Sequence, residues 1–200
     1  MKLRKTLEQV ERQVNLQCEK ECIELKGGLI IDAEIFDKLY KYQKVGVRWL
    51  WELHRQSVGG ILGDEMGLGK TIQIIAFLGA LRRSNIPDDS SEYSGLGPCL
   101  IICPPTLMRQ WVKEFHLWCP MLRVAILHDT GSHKGSRKSL INKIISSKGV
   151  LLASYVSLTL KSFALQKYDW HYIILDEGHK IRNPESRTTL AVKQFRTPHR

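Results

Sequence analysis

The stretch Gly63–Thr71, GDEMGLGKT, constrains this chain more than any other part of it. Two glycines two residues apart, then Lys70 and Thr71, stand between a short expected strand, Gly60-Ile61-Leu62, and an expected helix, Thr71–Arg82. A phosphate cradle needs that order: backbone N–H groups turned inward, a helix N-terminus behind them, and a cation at the outer phosphates. Gly67 and Gly69 would supply the turn, Lys70 would reach the β- and γ-phosphates, and Thr71 would give its hydroxyl to Mg²⁺. The spacing departs from G-x-x-x-x-G-K-[ST], because Asp64 holds the first glycine's place and Gly63 comes one position early. Another residue is tolerated at the mouth of the loop if its φ stays negative. The loop alone leaves a second reading open, a glycine turn that caps a helix beside an exposed lysine.

About a hundred residues downstream, HYIILDEGH decides between the two. Tyr172–Leu175 is a buried strand, and Asp176 and Glu177 stand at its end. Phosphoryl transfer needs one acidic group for the metal and one to orient water. Asp176 fits the first role, usually through the metal's water shell, and Glu177 fits the second by polarising the attacking water. Acidic residues often end strands simply to be solvated, so this motif carries weight only beside the upstream GKT.

Between and beyond these motifs, apolar strands alternate with amphipathic helices. Strands are expected at Cys99–Cys103, Leu122–Leu127, Val150–Ala153 and Tyr172–Leu175. Helices are expected at Thr71–Arg82, Thr106–Trp118, from after Lys138 to about Ser146, after Val150–Ala153, and around Thr188–Phe195. That order predicts an α/β fold, a parallel sheet covered by helices on both faces, with ligands at the carboxyl ends of the strands. Residues 34–56 read as a helical stretch interrupted by Gly46, with Tyr42, Trp49 and Trp51 as packing. Residues 3–25 read as a charged helix with a thin apolar stripe, ended by Gly27-Gly28. Trp111 and Trp118 fall on one helix and read as core.

Charge adds a partner class. The first hundred residues carry 14 basic and 14 acidic side chains, whereas residues 101–200 carry 16 and 6, so the whole net charge of +10 lies in the second half. A polyanion, nucleic acid or anionic membrane, would suit that half, as would a plain basic surface. Five cysteines with two C-x3-C pairs lack histidines at helical spacing for a zinc site, and Cys99 and Cys103 read as buried hydrophobes. The N-terminus has no apolar signal core, and the apolar runs fall far short of the ~20 residues a membrane span requires. These features lead to the expectation of a soluble intracellular chain with reduced thiols.

GDEMGLGKTIQ, LIICPPTLMRQWVKEF and IILDEGHKIRN together resemble the first RecA-like lobe of SWI/SNF-type ATPases, which are double-stranded-DNA translocases of the second helicase superfamily. The resemblance runs from about residue 35 to the end. KLYKYQKVGVRWLWELH and YDWHYIILDEGHKIRNP are similar to the Cockayne syndrome group B subgroup, which works in transcription-coupled DNA repair beside RNA polymerase. It implies a RecA-like P-loop NTPase lobe at 34–200, a charged helical extension at 1–33, and a nuclear DNA-dependent ATP hydrolase using ATP and Mg²⁺. RNA polymerase II or chromatin are implied as further partners.

By position, the resemblance implies that Gln43 reads adenine and that Asp64, Gly67, Leu68, Gly69, Lys70 and Thr71 hold the nucleotide. It makes Lys70, Asp176 and Glu177 the catalytic set and Thr71 and Asp176 the Mg²⁺ ligands. His179 becomes a relay between nucleotide and DNA. Pro105, Thr106, Arg109, Ser154 and Tyr155 become contacts to the DNA backbone. It further implies a coupling motif and a second lobe with arginine fingers after Arg200, so the chain alone is expected to bind ATP weakly and hydrolyse it negligibly. Two other readings stay open: a non-catalytic module that binds DNA or a partner, and an RNA helicase lobe.

Overall fold

A computed structural model describes residues 22–87, 92–127, 136–197 and 199–200. It opens on a hairpin, β1 (Cys22–Leu25) and β2 (Leu29–Asp32), followed by helices α1 (Ala33–Lys38), α2 (Lys41–Arg55) and α3 (Lys70–Ser84). Then come β3 (Cys99–Ile102), α4 (Pro105–Trp118), β4 (Val124–Leu127), α5 (Arg137–Ser146), β5 (Val150–Ala153) and α6 (Tyr155–Gln166). The chain closes through β6 (Tyr172–Leu175), a 3₁₀ turn at Gly178–Ile181 and α7 (Arg187–Lys193).

The main sheet has the order β4-β5-β3-β6, and every pairing is parallel. β3 and β5 are buried along their whole length, as an all-apolar strand between two helical layers must be. Alternate side chains enter separate cores. Cys99, Ile101, Val150 and Leu152 pack with α2, α3, α4 and the hairpin. Leu100, Ile102, Leu151 and Ala153 pack with α5, α6 and α7. The doubly covered parallel sheet read from the sequence is therefore the one observed. Among the described residues no helix is long and apolar enough to cross a membrane.

α3 explains why the glycine loop is so firmly anchored. Ile72, Ile75, Ala76, Phe77, Leu78, Ala80 and Leu81 are all buried, so the helix is apolar around most of its circumference and lies inside the lobe. Each buried Ile, Leu or Phe contributes about 1.5–3 kcal/mol relative to exposure. The helix begins at Gly69 in the left-handed region, φ +76°, and ends at Asn85, also left-handed.

Four local expectations need correction. Residues 22–25 are a strand, not the end of a helix, and Gly27-Gly28 makes the hairpin turn instead. Leu29 and Ile31 of that hairpin join the core against α3, while residues 3–21 of the expected helix lie outside the described ones. Gly46 does not interrupt the second helical stretch. The break falls at Leu39-Tyr40, and α2 runs unbroken through Gly46. Gly46 is there for space: a Cβ on it would overlap Gln73 Oε1.

Gly60-Ile61-Leu62 is not a strand. A strand needs a neighbour over several residues, and here Gly60 N donates to Arg200 O while Ile61 is 90% exposed. On the other side, His199 makes a parallel bridge to Tyr172, and Ile173 N donates to His199 O. Of the three aromatics expected to pack on α2, only Trp51 is buried, its indole N–H donating to Lys26 O. Tyr40 and Tyr42 stack on each other, largely exposed.

Candidate nucleotide site

The parallel register sets the site's geometry. Ile102 pairs with both Ala153 and Leu175, so the next residues, Cys103, Ser154 and Asp176, stand side by side at the carboxyl edge. A cavity of about 440 Å³ opens there, lined by Lys70 and Thr71 of α3, Trp111 of α4, and Asp176, Glu177 and His179 after β6. Side chains far apart in the sequence, such as Trp111 and Asp176 at 65 positions, thus meet at one wall.

The loop Gly63–Gly69 is held from behind by two glutamines. Gln43 is 6% exposed and spans from α2 to the loop, its Oε1 accepting from Tyr40 N (2.9 Å) and its Nε2 donating to Leu68 O (3.1 Å). Gln73 is 1% exposed and donates from Nε2 to Asp64 Oδ2 at 3.0 Å. Both bonds clamp loop residues to packed helices. Gly69 must be glycine twice over, for its positive φ and because a Cβ would come within 2.5 Å of Gln43 Nε2. Lys70 Nζ donates back to Asp64 O (2.6 Å) and Glu65 O (2.8 Å), bridging the mouth of its own loop.

The acidic pair is held just as closely. Asp176 N donates to Ile102 O, which continues the sheet one residue past β6. Its Oδ2 accepts from Trp111 Nε1 at 2.8 Å and its Oδ1 from Glu177 N at 3.0 Å. The Tyr155 hydroxyl donates to Asp176 O at 2.6 Å, and burial reinforced by the Asp176 charge pushes that phenol's pKa upward. Glu177 sits in the left-handed region, φ +58°, an uncommon conformation for a side chain that marks stored strain at functional positions. Its Oε2 lies 3.2 Å from His179 Nδ1, and that histidine is mostly exposed.

The donor set fits a magnesium nucleotide. A helix N-terminus with free amides, a lysine, a hydroxyl and a carboxylate all border one cavity, and none of them is buried beyond reach. Behind it, three buried histidines, His54, His171 and His199, bring ring nitrogens within 4.8 Å of one another. They do not suit a metal. His171 Nδ1 accepts from Gly97 N at 2.9 Å, so in the neutral ring its other nitrogen carries the proton.

The structure separates the residues expected to touch DNA. Pro105, Thr106 and Arg109 lie on the first turns of α4 at the surface, beside the row of strand ends. Ser154 is buried, and its Oγ caps α6 by accepting from Ser157 N at 2.9 Å. The Tyr155 hydroxyl is engaged on Asp176. Two residues of the site, Gln73 and Trp111, escape a sequence reading. Nothing local marks either one, because each is defined by a partner on another element.

The sequence profile of the SNF2-related domain family matches residues 42–200, which include the glutamine, the glycine loop and the acidic pair. The chain belongs to that family. As an SNF2-related domain it is 55% identical to the human DNA excision repair protein ERCC-6 over 198 residues, 97% of this chain and 13% of that protein. It is 38% identical over 219 residues to the yeast DNA repair and recombination protein RAD26, 88% of this chain and 19% of that one. Its fold matches the Sulfolobus solfataricus SWI2/SNF2 ATPase core in complex with dsDNA, with a TM-score of 0.67 and 30% identity over 82% of this chain and 31% of that one. The SNF2-related domain described here thus spans a small part of the length of these relatives.

Proposed function

We propose that this SNF2-related domain binds ATP with Mg²⁺ and forms the first RecA-like lobe of a nuclear, double-stranded-DNA-dependent ATPase and translocase serving transcription-coupled repair. One observation carries the reading: Lys70, Thr71, Asp176 and Glu177 converge on a single cavity at the carboxyl edge of the sheet. The DNA, the repair setting, the nuclear location and a polymerase or chromatin partner rest on the likeness to repair proteins and to a core solved with dsDNA.

In this reading the amides at the start of α3 take the phosphates, and Lys70 leaves the Asp64 and Glu65 carbonyls to meet their charge. Gln43 has a second amide proton and a second carbonyl lone pair beyond its two observed bonds, which suffice for adenine's donor–acceptor edge. Thr71 and Asp176 would hold Mg²⁺, which screens the negative charge that builds on the phosphoryl group. Glu177 accepts the proton of the attacking water, and its neighbour His179 links that carboxylate to the exposed edge of the site. Pro105, Thr106 and Arg109 offer the surface contacts to a DNA backbone, with Lys113, Lys180 and Arg182 adding charge nearby. Ser154 and Tyr155 stand at the same edge with their hydroxyls already engaged.

Titration calorimetry with ATP and MgCl₂ tests the nucleotide part. Binding by the chain and its loss in Lys70→Ala are expected, whereas equal binding by both sinks the reading. Turnover of the complete protein on duplex DNA against single-stranded RNA tests the rest. Stimulation by RNA alone would make this an RNA helicase lobe.

A further inference from the structure

Trp111 sits on α4, 3% exposed, and its indole N–H points at a carboxylate rather than into the apolar core around it. A buried N–H needs an acceptor, and a charged acceptor makes the stronger bond. The pairing is also selective in what it leaves open. Trp111 occupies one lone pair of Asp176 Oδ2 and Glu177 N occupies one of Oδ1, so each oxygen keeps one lone pair. The carboxylate cannot rotate without breaking a bond on one side. Its main chain is pinned as well, by Tyr155 on the carbonyl and by Ile102 on the amide. Asp176 is therefore fixed from β3, α4 and α6 at once.

We propose that Trp111 is a positioning residue for the metal-binding carboxylate, holding Asp176 at the angle from which its free lone pairs meet the hydrated Mg²⁺ of the bound nucleotide. Donors behind a metal-binding group typically alter metal affinity by about 10–100-fold when removed. Trp111 lines the same cavity as Lys70, Thr71 and Asp176, so its orienting bond borders the space in which the proposed Mg²⁺ would be held. The inference rests on the nucleotide reading above.

Calorimetry of the 200-residue chain with a non-hydrolysable ATP analogue, across a MgCl₂ series and in EDTA, distinguishes positioning from packing. Trp111→Phe keeps a ring against Phe115 and removes the N–H. Its Mg²⁺ midpoint is expected to rise about tenfold or more, with analogue affinity in EDTA and the thermal midpoint near those of the unsubstituted chain. In an Asp176→Asn background the same substitution should shift the Mg²⁺ midpoint no further. Tyr155→Phe, which removes the hydroxyl from the Asp176 carbonyl, should move it in the same direction and serves if Trp111→Phe does not fold. An unchanged midpoint in Trp111→Phe, or an equal shift in the Asp176→Asn background, overturns the proposal and leaves nucleotide binding standing. If the unsubstituted chain shows no Mg²⁺-dependent binding, both readings fall together.

Discussion

Gln73 and Asp64 join the two ends of the glycine loop: Nε2 of a side chain buried in α3 donates to the carboxylate at the loop's mouth, at 3.0 Å. The residue that departs from the usual glycine spelling is thereby the residue that fastens the loop to its own helix. Asp64 does what glycine there could not, since it offers an acceptor to a buried amide that would otherwise need one.

This clamp is open to substitution from two sides. Gln73→Leu roughly keeps the volume and removes the donor, so it should loosen the loop and weaken ATP binding while costing about 1.5–3 kcal/mol of stability in urea, the range for a hydrogen bond to a charged group. Gly46→Ala should do both kinds of damage. Its methyl would occupy the place of Gln73 Oε1, and overpacking of this sort costs about 1–3 kcal/mol. Urea denaturation with calorimetry on both variants checks the pair. Nucleotide affinity unmoved in both would show that the clamp does not shape the site.

Glu177 should separate binding from chemistry. Glu177→Gln preserves size and the left-handed backbone but cannot take a proton. In the complete protein, DNA-stimulated hydrolysis should fall by about 10²–10⁴ with ATP affinity little changed. Steady-state turnover alongside equilibrium ATP binding measures the split. Loss of both together would mean that Glu177 supports the fold of the site rather than the reaction.

Ser154 is predicted to matter first for stability. Its Oγ accepts from Ser157 N and caps α6, and loss of such a cap costs about 1 kcal/mol, within a range of roughly 0.5–2. Urea midpoints for Ser154→Ala against Ser154→Thr, which keeps a capping hydroxyl and adds no charge to this buried position beside Asp176, give the comparison. Equal losses in the two would show that the cap is not what Ser154 contributes.

The row of strand ends also predicts behaviour in alkali. Burial, reinforced by the Asp176 charge, pushes the Cys103 thiol up to about 12 from an ordinary value of 9.0. A proton held more tightly in the folded than in the unfolded chain stabilises the fold fully below pH 9 and progressively less as the pH rises towards 12. The loss is at most about 1.4 kcal/mol per pH unit for this one group. Cys99 and Cys119 are shifted upward by burial in the same sense. Urea denaturation between pH 9 and 11 should show falling stability, and Cys103→Ala should make the fall shallower. A slope identical in the two chains would remove Cys103 from the account.

Much of this protein is legible in its amino-acid sequence. β3, β5 and β6 are short continuous apolar runs, and their helices repeat at three and four residues, so the doubly covered parallel sheet follows from local chemistry. The glycine loop and the acidic pair are likewise readable, because each packs its determinants into a few consecutive residues. By itself, then, the sequence determined the layering of the fold and the two motifs that border the candidate nucleotide site.

The tertiary structure alone decided which side chains hold those ends in place. Trp111 meets Asp176 across 65 positions, Gln43 meets Leu68 across 25, and β2 lies against α3 although a charged helix is the local expectation nearby. Gly60-Ile61-Leu62 has strand-like composition but forms none, since a strand exists only where a neighbour runs beside it. The reason is the same in each case. Periodicity and turn chemistry are properties of adjacent residues, whereas a hydrogen bond between distant groups depends on sheet register and on how two helices pack. Trp111 reads as core because its ring is core. Only the register of β3 with β6 put a carboxylate within reach of its N–H.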